Sequence, residues 1–226
     1  MAGTHRGFEV FLRAARRELA VREGETFALE VTRAARDEYA RVLPRVPDIG
    51  GRRNVFQPVM TVNGWMVALH RALAARGRQA ADTIAVTQAV FDAALRRLPS
   101  LLLRAIGRLA LSAPSRRYFE RQARRSQERR FAQDFVWKLE HGDDGEMSFV
   151  FDECAVNKWY DAEGLAELKP YCNFADVTYS RLMGMGVDAH ETIGLGCAQC
   201  ALRFKHGRET VVPPKLREIV GGSALP

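Results

Sequence analysis

Long uninterrupted hydrophobic runs are missing from this sequence. The greasiest stretch, residues 98–111, is broken by Arg104 and Arg108 and falls well short of the roughly 20 apolar residues that a membrane span requires. The amino terminus, MAGTHRGFEVFLRAARREL, lacks the apolar core and small-residue cleavage site of a secretory leader. The expected setting is therefore the cytoplasm, with no membrane contact. Cysteine is scarce as well. Four in 226 residues are too few for a disulfide scaffold, and in a reducing compartment they stay thiols unless they bind metal or react. No zinc-finger spacing, aromatic stacking motif or internal repeat is present. The run RRYFERQARRSQERR, residues 116–130, holds Glu120 and Glu128 among its arginines and reads as a solvated helix rather than a nucleic-acid surface. The net charge of +7 bears on solubility and encounter, not on fold.

What is there divides in two. From Phe8 to about Arg130 apolar residues recur at helical spacing. Phe27, Val31, Ala34, Ala35 and Tyr39 form one stripe, ended by Pro44 and Pro47. Val62, Met66, Leu69, His70 and Leu73 form a second, and Ile84, Thr87, Phe91, Ala94, Leu95 and Leu98 a third. Near Phe131 the period changes to two. Phe135, Trp137 and Leu139 alternate with polar neighbours, HGDDGE supplies a turn, and Met147, Phe149 and Phe151 alternate again. A short helix over ECAVNKWYDAEG and a longer one over LAELKPYCNFADVTYSRLMG follow, then strands at 187–193 and 200–204 joined by a glycine turn. The expected fold is α+β: a helical N-terminal half followed by a small antiparallel sheet with covering helices. The expected division is a helical region over 1–128, an α+β catalytic or ligand-binding region over 129–210 and a loose tail over 211–226.

The chemistry concentrates around IGLGCAQCALRF, residues 193–204. Alternation puts Cys200, Leu202 and Phe204 on one apolar face of the last strand, so Cys200 points inward. A buried cysteine is most often an inert small hydrophobe; reactivity needs a nearby cation, base or exposed amides that favour the thiolate. A closed zinc site needs two close ligand pairs, and only Cys197 and Cys200 form one, so no metal or other cofactor is expected. A redox pair would open a helix after a strand, whereas this pair precedes a strand. On the short helix Cys154, Asn157, Lys158 and Asp161 share a face, and on the longer one Asn173, Asp176 and Ser180 do. Folded over the sheet, these helices would leave a pocket edged by Cys154, Asn157, Asp176, Thr192 and Cys200.

Three pieces, "ECAVNKWYDAEGLAELKPYC", the aspartate in "NFADVTYSRLMG" and "ETIGLGCAQCALRFKHG", resemble the L-2-amino-thiazoline-4-carboxylic acid hydrolase family. Upstream, "RVPDIGGRRN" and the basic stretch from SRRYFERQ to FVFDEC are also similar, so the likeness covers roughly residues 40 to 210. The resemblance implies a hydrolase that opens a ring carbon–nitrogen bond in a small cyclic amidine-like or amide-like substrate, with a cysteine nucleophile. Carried onto this chain, the nucleophile is Cys200, the helix aspartate Asp176 and the threonine before the glycine turn Thr192. Glu153, Cys154, Asn157, Lys158, Asn173 and Cys197 are the expected substrate contacts. The family commonly follows its last cysteine with aspartate and phenylalanine, where this chain has Ala201 and Leu202. Further family cysteines fall at Asn157 and Asn173, with Cys172 displaced by one.

Attack by sulfur on an sp² carbon needs a base for the thiol proton and donors for the charge that develops. Asp176 or His190 can serve as the base, and Thr192 with the amides around Gly196 and Cys197 as donors. The expected partner is a small-molecule substrate, not nucleic acid, and self-association is left open. The competing expectation is a small-molecule binding or sensory domain without turnover, related to the vinyl-reductase-type domains.

Overall fold

The computed structural model describes residues 2–220. Six helices come first: α1 (Ala2–Glu23), α2 (Glu25–Val42), α3 (Gln57–Ala74), α4 (Ala80–Leu95), α5 (Ser100–Ala110) and α6 (Ala113–Ser126). Strands β1 (Val136–His141) and β2 (Met147–Glu153), helices α7 (Ala155–Ala162) and α8 (Phe174–Met183), strands β3 (Val187–Glu191) and β4 (Cys200–Phe204), and helix α9 (Pro214–Val220) follow. The fold is α+β. The strands make one antiparallel sheet in the order β1-β2-β4-β3.

Helix α3 lies at the centre. Most of its apolar residues are buried, Met60, Met66 and Val67 in one cluster and Ala68, Leu69 and Leu73 in another. Against one side pack α1, α2 and part of α4, through Phe8, Leu12, Val31, Tyr39 and Val86. Against the other, a second and larger cluster runs from Met60, Val67 and Ile84 without a break into the inner face of the sheet. That face carries Trp137, Phe149, Phe151, Cys200 and Phe204, placed together by the pairs Trp137↔Phe151, Phe151↔Cys200 and Met147↔Phe204. The opposite face bears Lys138, Ser148, Arg203 and Asp188, as the same alternation requires. Helix α6 meets β1 through Ser126, whose hydroxyl lies 3.0 Å from both the amide and the carbonyl of Trp137; Arg117, Arg121, Arg124 and Arg125 are exposed.

Three expectations give way. The longer helix expected over 165–184 is two elements, a 3-10 segment over Ala166–Tyr171 and then α8, because Pro170 has no N–H to continue an α-helical ladder. The strand expected to reach Ile193 stops at Glu191, and Ile193–Leu195 form a 3-10 turn. The tail expected to be loose from residue 211 instead forms α9, with Leu216 and Val220 buried; residues 221–226 lie outside the described residues.

Candidate functional site

At one end of the sheet β2 delivers the chain into α7 and β4 begins. Cys154, the first residue after β2, is the N-cap of α7. Cys200 opens β4 opposite Phe151, and its sulfur accepts a hydrogen bond from the Ile193 amide at 3.1 Å. That amide is held in place by the turn it belongs to. The Thr192 hydroxyl accepts from the Leu195 amide at 3.2 Å, and the Thr192 carbonyl accepts from the Cys197 amide at 3.1 Å.

Both glycines of the turn are required by geometry. Gly196 has φ +93°, a left-handed conformation that side chains resist. Gly194 is pressed against the segment before α8, so an added Cβ would meet the Lys169 carbonyl oxygen at 2.0 Å and the Cys172 sulfur at 3.2 Å. The turn thereby brings Cys172 beside the start of β4. Helix α8 completes the enclosure. Its N-cap Asn173 donates to the Ala189 carbonyl at 2.8 Å, tying α8 to β3. One turn on, the Asp176 carboxylate accepts from the Tyr179 hydroxyl at 2.5 Å.

The result is a carboxyl group among three thiols, close enough for their charges to perturb one another. Burial raises Asp176 to about 6, opposed by the Tyr179 hydrogen bond. Burial also pushes Cys200 up to about 12; Cys154 adds to the rise, the Ile193 amide opposes it and Asp176 adds a little more. Cys172 is held well above its usual range by burial and then by Cys154, Cys200 and Asp176. Cys154 is raised by burial, partly offset by the Asn157 and Val156 amides at the start of α7. All three thiols therefore keep their protons at neutral pH. Asn157, on the first turn of α7, is 3% exposed, and neither its side-chain oxygen nor its nitrogen has a hydrogen-bond partner. The Asn173 side-chain oxygen lacks one too. A buried unpaired amide group costs about 1–3 kcal/mol, so such groups mark a place where polar ligand atoms gain most.

The structure thus brings together Cys154, Asn157, Asn173, Asp176, Thr192 and Cys200. The other four stand outside it, although the charges of Lys158 and Cys197 still reach Cys154 and Cys200. His190 lies on the outer face, exposed, with Nδ1 2.5 Å from Asp188 Oδ1; as a base for Cys200 it is on the wrong side of the sheet. The irregular register between Asp188 and Glu191 breaks the alternation that would have put His190 and Thr192 together. Glu153 is paired with Arg129 and Lys158. The Lys158 ammonium is tied to the Ala132 and Asp134 carbonyls at 2.9 and 3.0 Å, pointing along the loop before β1. Cys197 is exposed on the turn. Thr192 is present in a different role, since its hydroxyl holds the turn. Two participants went unassigned in the sequence: Cys172, whose contact with Gly194 joins segments distant in the chain, and Tyr179, legible only as the residue three after Asp176. Among the described residues no group of three or more His, Cys, Asp or Glu side chains is placed to hold a metal ion.

A family model described as L-2-amino-thiazoline-4-carboxylic acid hydrolase matches residues 60–204. This span covers more than half the chain and contains every residue of the enclosed cluster. No curated protein and no solved structure matches the chain.

Proposed function

Because the chain belongs to the L-2-amino-thiazoline-4-carboxylic acid hydrolase family, we propose that it hydrolyses a ring carbon–nitrogen bond of a small cyclic amidine, with Cys200 as nucleophile and Asp176 as its proton acceptor. The observation that carries this reading is a half-buried Asp176 carboxyl, raised to about 6, standing near enough to the buried thiol of Cys200 for its charge to act there. A carboxyl with that value is ionised at neutral pH yet basic enough to exchange protons with a reacting group.

An amidine substrate explains why the thiol is not already ionised. Proton transfer from Cys200 to Asp176 alone is steeply uphill. A protonated amidine adds positive charge beyond the small influence of Lys158 on Cys154, and its electron-poor carbon accepts the sulfur as the proton leaves. Cys200 sulfur bonds to the ring carbon, its proton passes to Asp176, and the C=N electrons move to the ring nitrogen. Collapse breaks the ring carbon–nitrogen bond, and Asp176 returns the proton to the departing nitrogen. One water, deprotonated by Asp176, then attacks the sulfur-bound carbon and displaces Cys200, which recovers its proton. The sum is substrate plus one water to the ring-opened product. Asn157 and Asn173 supply hydrogen bonds to the amidine nitrogens, and Thr192 positions the Ile193 amide against the sulfur.

The test is turnover of 2-aminothiazoline and its 4-carboxylate by the purified chain, followed by chromatography of the ring-opened product. Cys200→Ala is expected to lose at least about 10³-fold in kcat/KM while retaining the fold. Intact-mass analysis of quenched wild-type reactions is expected to find a covalent adduct on Cys200. Undiminished turnover in the variant would overturn the assignment. A ligand-binding domain without turnover is the second reading, favoured by the high value of Cys200 alone; saturable binding with no product from either compound would establish it.

A further inference from the structure

We propose that α5 and the α4–α5 corner form a docking face that lies on an anionic phospholipid surface. Leu98, Leu101, Leu102, Ala105 and Leu109 recur at steps of three and four, and so line one stripe of the helix. In a helix of this size such a stripe ordinarily faces a core, but here it faces outward. Leu101 is 78% exposed, Leu109 64%, Leu102 46% and Leu98 41%. The helix is anchored from its other side. Leu103 and Gly107 are buried, and Gly107 allows α5 so close to α8 that a Cβ there would meet the Met183 carbonyl oxygen at 2.2 Å. The exposed stripe is therefore fixed in position by packing behind it, and it cannot turn inward.

Charge selects the occupant. From Ala93 to Phe119 the sequence has six arginines and no acidic residue. Arg96 pairs with Asp92 and Arg116 is tied to the Leu111 and Gly145 carbonyls, which leaves Arg97, Arg104, Arg108 and Arg117 without a carboxylate among the described residues. Arg104 and Arg108 sit between the buried and exposed faces of α5, at the height where lipid headgroups meet a helix lying in the interface. Arg97 and Arg104 make no ion pair among the described residues. A second copy of the chain fits less well. A two-fold contact through α5 sets the same patch against itself, bringing these arginines together with no carboxylate to separate them. Apolar side chains flanked by Arg97 and Arg104, which have no carboxylate partner among the described residues, and by Arg108, which donates to His206 at 3.3 Å, instead match an anionic bilayer, where buried leucines and headgroup phosphates add. Helix α5 is too short to span a membrane, and no helix among the described residues is long and apolar enough to do so. The contact is peripheral and independent of the cysteine site, and it departs from the expectation of no membrane contact, which rested on the lack of a spanning segment.

Flotation of the full chain with vesicles of phosphatidylcholine, with and without phosphatidylglycerol, tests this. The chain is expected to float with the anionic vesicles, less so as salt rises, and weakly with neutral ones. The double variant Leu101→Glu/Leu109→Glu is expected to partition at least about tenfold less with an unchanged circular dichroism spectrum. Arg97→Ala/Arg104→Ala is expected to flatten the salt dependence. Three results would overturn the proposal: no flotation with anionic vesicles, flotation that the leucine variant leaves intact, or a concentration-dependent dimer in light scattering that the leucine variant abolishes. The last would assign the face to a second copy.

Discussion

At the scale of single residues the decisive one is Asp176. In an unfolded chain its carboxyl titrates near 3.8, and in the folded protein near 6. Below the lower value both forms are protonated and the burial has no electrostatic cost. As pH rises toward the folded value, the unfolded chain releases its proton while the folded one retains it, so stability declines and levels off above about 6. The cost at neutral pH is about 2–3 kcal/mol. Asp176→Asn keeps the shape, and an amide oxygen still accepts from Tyr179, so the variant is expected to be more stable than wild type by about that amount at neutral pH. The advantage is expected to shrink toward zero near about pH 4. Urea denaturation at the two pH values measures it, and an advantage that stayed constant would mean that the carboxyl does not titrate from an enclosed position. A residue retained at such a cost is consistent with one kept for chemistry rather than for stability.

Among the elements, the turn between β3 and β4 does most to assemble the site, and its two glycines differ in what they do. Alanine at Gly196 meets open space but must hold φ +93°, a cost of about 1–2 kcal/mol. Alanine at Gly194 collides with the Lys169 carbonyl, so the turn must move away from Cys172 and carry the Ile193 amide from Cys200. Gly196→Ala is expected to lower the denaturation midpoint while leaving turnover nearly unchanged; Gly194→Ala is expected to lower both. Equal effects on the two readouts would detach the turn from the site.

Much at this scale was legible in the sequence. The alternation of Trp137, Leu139, Met147, Phe149 and Phe151 gave both partners of the first hairpin, because a sheet with one buried face imposes a period of two. Cys154, Asn157, Asp176 and Cys200 were brought together by helix faces and strand parity alone. What stayed hidden depends on contacts between distant segments. The pairing of β2 with β4 has no local signal, and the register irregularity that turns His190 outward cannot be read from alternation. Nor can the approach of Gly194 to Cys172. Pro170 was visible, but nothing near it indicated that the chain would change helix type there.

For the molecule as a whole, the helical half and the sheet share one continuous apolar cluster, and polar ties cross the same boundary. Glu163, at the end of α7, accepts from Arg71 at 2.6 Å and Arg45 at 3.0 Å. His70 on α3 lies between Thr83 at 3.0 Å and Glu167 at 3.1 Å, and the Tyr160 hydroxyl donates to Asn63. Unfolding is therefore expected to be a single transition, with coincident curves from far-ultraviolet circular dichroism and tryptophan fluorescence. Glu163→Gln is expected to shift both curves together by about 1 kcal/mol, because the mostly buried carboxylate bridges a half-buried Arg71 and a solvent-exposed Arg45. Separate midpoints would show that the two halves are held up independently. A shared core also accounts for the family match extending back to residue 60, well before the first strand: α3 forms the rear wall against which the sheet packs.

The uneven sheltering of the four cysteines has a practical use. Cys154 and Cys200 are buried and Cys172 is half-buried, whereas Cys197 stands exposed on the turn. A maleimide dye added in equimolar amount to the native protein would attach first at that position, three residues from the sulfur of interest. An environment-sensitive fluorophore there would report arrivals at the site in real time, with no engineered mutation.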